Sequence, residues 1–413
     1  MKNMKDTSLY QQILGDTSPW SVSEVELNAE KLTIEVRLTL PPTAIWGCPQ
    51  CASRMHVKEW RERRWRHMDS CQFKTVLVAS VPMVECSEHG SQTVQVPWSE
   101  GSSRFTLYFE RFAIEVLHAC AASKAGELLQ ISWDEADGIK QRAVRRGLAR
   151  REMVDLEYVC IDEKAVGRGH DYVTIVTGVV EGKPRVLYVG NGRGEEGLDG
   201  FWEWLGPEGC SRIKAVSMDM GQPYQNSTRR YCPDADLIFD PFHLMKMLNK
   251  AVDEVRRQEA VMGSGADREA LKKTRQMWLW GEENLPERHA ARFDALKHSA
   301  LKTARAWGIK ELWRTFKNCI DEEDGLSFFT QWYRLAMQSK LEPIKKVARS
   351  FKEHLAGITT FLCHRFCNAL AEGVNSRIQL LVQKACGYRN RERLKTDILF
   401  HFGGLNMNPL AAQ

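Results

Sequence analysis

Residues able to do chemistry fall into three groups in the sequence, and the carboxylates come first. Asp162 closes the run Glu157-Tyr-Val-Cys-Ile-Asp162, and Asp219 closes Ile213-Lys-Ala-Val-Ser-Met-Asp219. Read as strands, the two-residue period puts Tyr158, Cys160 and Asp162 on one face, and Ala215, Ser217 and Asp219 likewise on one face. Two acids at neighbouring strand ends can bridge a pair of Mg²⁺ ions, which keep waters and phosphate oxygens for their remaining positions. Mn²⁺ suits the same oxygen donors. Two such ions, about 3.5–4 Å apart, activate a nucleophile and stabilise the leaving oxygen of an in-line attack on a phosphodiester. A third acid is expected from a later helix, and Glu372 is the candidate. Around it, Leu370, Val374, Ile378 and Leu381 form an apolar stripe, while Glu372, Asn375 (or Ser376), Gln379 and Gln383 form a polar one. Glu163 and Asp240 are rival acids, and His243 either approaches the site or packs beneath it. Solvated and helix-capping roles compete for every one of these acids.

The second group has metal-ligand spacing. Cys48-x-x-Cys51, then 34 intervening residues, then Cys86-x-x-His89 supplies two ligand pairs on tight turns, enough for one tetrahedral Zn²⁺. Pro49 and Gly90 suit such knuckles, and the strand character between the pairs predicts a zinc ribbon. Cys71, His56 and His67 lie in the intervening loop and could replace one of the four. All four positions are filled by protein, so the site is expected to be structural. A ribbon this small has little core, so metal binding is expected to supply much of its folding energy.

The third group is basic. Arg54, Lys58, Arg61, Arg63, Arg64 and Arg66 are interleaved with Trp60 and Trp65, a mixture that can grip phosphates and stack on bases. Glu59 and Glu62 dilute the run, and a solvated charged face is the alternative. Farther on, residues 122–130 and 133–148 flank Ile131-Ser132 as a helix-turn-helix would. Ser132 with Glu135 makes a capping box, and Ala136, Ile139, Ala143 and Val144 make the apolar stripe. Lys140, Gln141, Arg142, Arg145 and Arg146 are then expected on the outer face, as in a helix that enters a DNA major groove.

Positioning these groups requires several kinds of element. Val22–Leu27 and Leu32–Leu38 alternate as a strand hairpin, 105–151 reads as three helices, and 157–162, 172–180, 184–190, 213–219 and 236–240 read as strands. A helix over Glu196–Leu205 separates the third strand from the fourth, the order of a mixed α/β sheet. Residues 242–365 read as almost wholly helical, and a last helix is expected from about Phe366 to Ala385. The composition agrees with a multidomain α/β (α+β) protein: 413 residues, 43% apolar, 27% charged, and a net charge of +5 from 58 Lys+Arg against 53 Asp+Glu. No apolar run is long enough to span a membrane. Residues 1–17 lack the apolar core of a signal peptide, so the cytoplasm is the expected compartment. Twelve cysteines in such a chain then read as metal ligands or buried thiols, with Cys363 and Cys367 one helical turn apart.

Taken in order, the zinc ribbon, the helix-turn-helix, Ile161-Asp162-Glu163, Val216-Ser-Met-Asp219-Met, Phe239-Asp-Pro-Phe-His243, Glu372-Gly-Val-Asn375 and Gly387-Tyr-Arg-Asn390 closely resemble the ISL-three family of bacterial insertion-sequence transposases. The resemblance runs from about Cys48 to Asn390. It implies DDE catalysis on an RNase H-like mixed sheet, with Asp162, Asp219 and Glu372 as the triad holding two Mg²⁺, and Glu163, Asp240, His243, Asn375 and Asn390 around it. It also implies an all-helical insertion interrupting the catalytic core between Asp219 and Glu372. The segments are then 1–100 (hairpin and ribbon), 101–152 (helix-turn-helix), 153–250 (first part of the core), 251–365 (insertion) and 366–413 (final helix and tail). Trp278, Trp280, Trp307 and Trp313 lie in the insertion and either pack its core or stack on a DNA end. Two departures are His89 where the family usually has cysteine and Pro241 where it usually has arginine.

The expected partners are double-stranded DNA, as terminal inverted repeats and as target, and further copies of the chain in a dimer or larger synaptic complex. Arg377, Lys384, Arg389 and Arg391 are expected to contact phosphates near the acids. Two other functions stay open from the residues alone: a DNA-binding regulator whose catalysis has lapsed, and an RNase H-like nuclease that cuts without joining.

Overall fold

The computed structural model describes residues 6–42, 44, 46–48, 50–152, 155–165, 171–366 and 369–411. Pro49 and Cys367, and the side chain of Leu370, lie outside the described residues. The chain divides into two compact units, Met1–Arg151 with Leu405–Gln413, and Glu152–Gly404. The boundary expected near 100 therefore falls inside the first unit.

The first unit opens with α1 (Asp6–Leu14), the hairpin β1 (Ser21–Asn28) and β2 (Thr33–Thr39), and the short pair β3 (Trp46–Gly47) and β4 (Arg54–Met55). The strands β5 (Val57–Arg66), β6 (Lys74–Cys86) and β7 (Gly90–Thr93) follow, then the helices α2 (Leu107–Ala119), α3 (Ala122–Leu129) and α4 (Trp133–Ala149). β6 is the hub of a five-stranded sheet: it pairs in parallel with β2 and antiparallel with β5 and β7. Alternate β6 residues Leu77, Ala79 and Val81 are buried with Ile34, Val36, Leu38 and Trp65. Trp98 meets Trp20 and Trp65 edge to face, each at 5.3 Å between ring centroids. This corrects the expectation that the ribbon has little core. The long strands between the ligand pairs belong to a sheet with its own apolar core, and Trp65 is core.

Second-unit strands are β8 (Tyr158–Ala165), β9 (Tyr172–Val180), β10 (Lys183–Asn191), β11 (Ala215–Met218) and β12 (Asp236–Phe239), with α5 (Glu195–Ser211) before β11 and α6 (Gln222–Tyr231) after it. Their spatial order is β10-β9-β8-β11-β12; the first three are antiparallel, and β11 runs parallel to both β8 and β12. Eight helices then run from α7 (Pro241–Met262) through α8 (Gly265–Leu271), α9 (Arg275–Leu279), α10 (Glu287–Lys297), α11 (Lys302–Arg314), α12 (Glu322–Gln338) and α13 (Glu342–Glu353) to α14 (Leu355–His364). α7 is continuous across residue 250, where a domain boundary was expected. The α5 face of the sheet and these helices share one buried cluster, in which Phe201, Trp202, Trp278, Trp307, Trp313 and Trp332 all lie. Three of the four insertion tryptophans singled out are thus core; Trp280 is half-buried and stacks on His289 at 5.7 Å.

The opposite sheet face is covered by α15 (Ala369–Lys384) and a further helix, α16 (Arg391–Phe402). Val374 and Ile378 of the first and Leu394 and Ile398 of the second pack on Val173, Ile175, Val186 and Val189. The last helix of the domain is therefore α16 rather than α15. Its sequence is rich in charge, and its buried Leu394 and Ile398, one turn apart, become meaningful only against the sheet.

Candidate active site and nucleic-acid contacts

Strand period places the first acid. Val159 and Ile161 of β8 are buried on the α5 face, so Asp162 turns to the face covered by α15. Its pairing with β11 ends at Cys160, opposite Ser217, although β8 itself continues to Ala165. Asp162 thus sits where two parallel strands part, the usual ligand crevice of a mixed sheet. Its Oδ1 accepts the Glu163 N–H at 2.7 Å, and its Oδ2 accepts the side-chain amide of Asn375 on α15. Asp219 follows β11 directly and accepts the Gly221 N–H at 2.9 Å. A side chain at position 221 would put its Cβ 2.7 Å from that same carboxylate oxygen and force the carboxylate to shift.

Asp240 and His243 form the next layer. Asp240 is buried, caps α7 by accepting the Phe242 N–H at 3.3 Å, and lies 2.9 Å from His243 Nδ1. Burial pushes the Asp162 carboxyl up, and Asp240 and Asp219 add to the shift against His243 and the Glu163 N–H. Burial also raises Glu163, with Asp219 and Asp162 adding to it against Arg193 and His243. Half-buried Glu372 is raised by burial and then by Asp240 and Asp162, against His243. The hydrogen bond that His243 donates to Asp240 raises its pKa, and burial opposes the shift. Several carboxyl groups therefore share one poorly solvated place with little positive charge to answer them. The donor set is all oxygen, as Mg²⁺ and Mn²⁺ require, and added cation charge offsets the crowding.

Beside these acids lies a cavity of about 950 Å³ whose lining includes Glu163, Asp219, Gly221 and His243. Its other wall is basic, built from α7 and α9, and contains Lys246, Lys250, Arg256, Arg257 and Arg275. None of these cations was singled out from sequence. The four-residue spacing of Lys246 and Lys250 was a readable signal, whereas Arg275 reaches the cavity only through the packing of α9 on α7. Buried Tyr224, whose hydroxyl lies 3.0 Å from Thr174 Oγ1, was also missed; burial raises its phenol, and Glu163, Asp219 and Asp162 add to the shift.

In the first unit, Cys48, Cys51, Cys86 and His89 converge, with ligand atoms all within 4.8 Å of one another. Cys86 Sγ lies 3.5 Å from His89 Nδ1 and 3.7 Å from Cys51 Sγ. Hydrogen bonding with the Ser53 side chain and backbone lowers the Cys51 thiol to about 6, favouring the thiolate that binds metal. Cys71, His56 and His67 are not part of this cluster.

The basic residues divide sharply. On β5, Lys58 pairs with Glu85, Arg61 with Glu59, Arg64 with Glu35 and Arg66 with Asp69, while Arg63 lies over the Trp65 ring at 5.2 Å. Arg54 is exposed on β4 with no ion-pair partner among the described residues. On α4 the capping box of Ser132 and Glu135 forms, and Ala136, Ile139, Ala143 and Val144 are buried. The basic outer face is narrower than its sequence suggests. Lys140 and Arg146 are buried, and Arg142 donates from Nε to buried Glu110 at 2.7 Å. Arg146 also binds Glu110 at 3.1 Å and the Met407 carbonyl at 2.8 Å, so its charge is used inside the unit. Gln141 and Arg145 remain exposed.

In the second unit, Arg377 lies 5.3 Å from the Phe402 ring, and Lys384 and Arg389 are exposed. Arg377 is about 140° and Lys384 about 120° around α15 from Glu372, so neither shares its face. Arg391 pairs with Asp171 at 2.6 Å. Asn390 caps α16 by accepting the N–H groups of Glu392 and Arg393, which assigns its side chain to the helix terminus.

The family model of ISL3-type DDE transposases, described as transposase, matches residues 159–398. The chain belongs to the ISL3 family of transposases. A second model, the zinc-finger of transposase IS204/IS1001/IS1096/IS1165, matches residues 45–89 and encloses the four clustered ligands. The chain is 26% identical to the transposase for insertion sequence element IS1001 of Bordetella parapertussis, covering 97% of this chain and 99% of that protein. It is 25% identical to the transposase for insertion sequence element IS1557 of Mycobacterium tuberculosis, covering 95% and 94%. Membership of this transposase family implies a DNA-cleaving and joining enzyme with divalent metals, and the zinc-finger match with the Cys3His cluster supports structural zinc. No helix among the described residues is long and apolar enough to cross a membrane.

Proposed function

We propose that the protein is the DDE transposase of a bacterial insertion sequence, acting in the cytoplasm. It binds the terminal inverted repeats, hydrolyses a phosphodiester at each element end, and joins the freed 3′-OH to target DNA. The crowding of Asp162, Asp219 and Glu372 around one poorly solvated crevice carries this reading. The sheet order supports an RNase H-like core, since three antiparallel strands are followed by two parallel ones with the acids beside the central strand.

Asp162, Asp219 and Glu372 would hold two Mg²⁺ (or Mn²⁺), which supply water activation and charge neutralisation at the leaving oxygen. Around them, Asn375 and the Glu163 N–H fix the two oxygens of Asp162, and the Gly221 N–H fixes Asp219. Asp240 holds His243 at the edge of the site, and Glu163 adds a further carboxyl to the cavity wall. The helices α2, α3 and α4 serve as the helix-turn-helix, with Arg145 and Gln141 offered to DNA. The zinc ribbon offers exposed Arg54 as a further DNA contact. The partner state is a dimer or larger synaptic complex, because two element ends must be held for joining.

The test uses DNA carrying the element's ends. Glu372→Gln should lower cleavage and joining by roughly a hundredfold to a thousandfold or more while binding is kept, as expected for loss of an electrostatic stabiliser. Unchanged cleavage would overturn the triad. Cut but never joined products from the unmutated protein would overturn the transposase reading in favour of a nuclease.

A further inference from the structure

The cavity next to the acids has a wall that the chemistry of the triad does not use. Along α7, Lys246, Lys250, Asp253 and Arg257 recur at intervals of four, three and four residues, so they share one helix face. From Lys246 to Arg257 that face runs about 16 Å at 1.5 Å per residue. At about 3.4 Å per nucleotide along one strand of B-form DNA, it spans about five nucleotides. Arg275 at the start of α9 lies on the same cavity wall.

Asp253 is the acid among these cations, and it holds three arginines at once. Arg256 reaches its Oδ1 at 2.8 Å, while Arg257 and Arg275 both reach its Oδ2 at 3.5 Å. Arg256 and Asp253 are largely covered, but the Arg257 and Arg275 side chains remain 62% and 61% exposed, so their outer N–H donors stay available. Two guanidinium groups beside one carboxylate form a fork that matches a phosphate. Lys246 and Lys250 are exposed on the same face. Asn249, also in the lining, has a buried Oδ1 with no hydrogen-bond partner, a polar atom that a ligand could satisfy.

We propose that this face of α7, with Arg275, is a phosphate track for the DNA strand that enters the acid cluster. Lys246 and Lys250 bind the phosphates nearest the acids, and Arg257 and Arg275 bind those farther along. Asp253 occupies the place of a phosphate until DNA replaces it, keeping both arginines oriented and limiting binding to DNA that also engages the rest of the site. The inference rests on the transposase reading but concerns different residues.

The experiment measures duplex DNA binding by the full chain as a function of salt. One probe is a duplex of random sequence, and the other carries the element's ends. Each phosphate contact contributes about 0.9 to the slope of log K against log salt, so replacing Lys246, Lys250, Arg257 and Arg275 together by Gln should lower the slope by about 3 to 4. The exposed pair Arg257→Gln and Arg275→Gln alone should lower it by about 2. Asp253→Asn should tighten binding to the random duplex by roughly threefold to tenfold at low salt, through loss of one like charge from the track. Thermal unfolding checks that each variant is folded. An unchanged slope in the folded pair variant overturns the track, and weaker or equal binding by folded Asp253→Asn overturns the role of Asp253. Failure here with cleavage still dependent on Glu372 leaves the transposase reading intact. A reduced slope with cleavage indifferent to Glu372→Gln leaves the track and removes the triad.

Discussion

In the first unit, the positive side chains of β5 and the inner row of α4 are mostly answered from within. Glu110 is fully buried and takes Arg142, Arg146 and the Ser103 hydroxyl, while β5 sets its cations against Glu35, Glu59, Asp69 and Glu85. In the second unit, Asp162, Glu163 and Glu372 crowd together with His243, which is already held by Asp240, as a common counter-charge. Across the neighbouring cavity, exposed Lys246 and Lys250 stand without an ion-pair partner among the described residues. Charges paired inside a unit hold a fold together. Charges left short of partners beside a cavity suit a ligand that brings its own, and a nucleic acid with divalent cations brings both signs.

The zinc tetrad is where the first unit resembles the second, since three thiols and an imidazole converge there as a donor set suited to a cation. Structural zinc binds with an apparent free energy on the order of 10 kcal/mol in small domains, so chelation is the strongest perturbation of this unit. Chelation should disorder the knuckles around β3, β4 and β7 while the Trp20–Trp65–Trp98 core persists. Near-ultraviolet circular dichroism with metal analysis checks this. Retained tryptophan signal with lost zinc is the expected outcome, and collapse of the whole signal would show that the sheet depends on the metal after all.

Next in size is the buried network. Glu110→Gln takes the fully buried anion from both Arg142 and Arg146 and leaves Arg146 only the partly exposed Glu100, and breaking a buried pair costs up to about 3–5 kcal/mol. Denaturant unfolding of the variant should show that loss in the first unit. A cost within about 1 kcal/mol, the range of an exposed pair, would erase the contrast drawn between the units.

The smallest effect concerns pH. Burial, with Arg66 beside it, lowers His67 to about 4, and its Nδ1 lies 2.9 Å from Thr106 Oγ1. The folded unit therefore keeps His67 neutral down to about pH 4, whereas the unfolded chain takes up that proton near 6.5. Between those values the unfolded state binds more protons, so the contribution is complete above 6.5 and is lost as pH falls toward 4. At about 1.4 kcal/mol per unit, the loss is at most on the order of 3 kcal/mol. Melting curves with zinc in excess should show a steeper acid decline in the unmutated protein than in His67→Gln, and parallel declines would refute the role of His67.

Much of this architecture was legible because it is local. The hairpin of 22–38, the five strands of the second unit, the capping box at Ser132 and the paired metal ligands all follow from spacing along a few residues. The acids were legible as strand-end residues, although β8 runs on past Asp162 and the crevice is made by the end of its pairing with β11. Asn375 could be placed on a polar stripe, but its bond to Asp162 joins residues 213 positions apart.

What the sequence by itself determined, then, is periodicity, caps and ligand spacing, since each depends on backbone geometry over one or two turns. Which face a charge ends on was decided by the tertiary structure. Lys140, Arg142 and Arg146 look like a DNA-facing row along α4, yet Glu110 on α2 and the Met407 carbonyl from the end of the chain draw Arg146 inward. Lys246, Lys250 and Arg275 look like ordinary helix surface, yet α7 and α9 turn them onto the cavity that holds Asp219. The physical reason is the same in both cases. A helix period fixes which residues share a face, but only the packing of distant elements determines whether that face meets an acid, an apolar core or an open crevice.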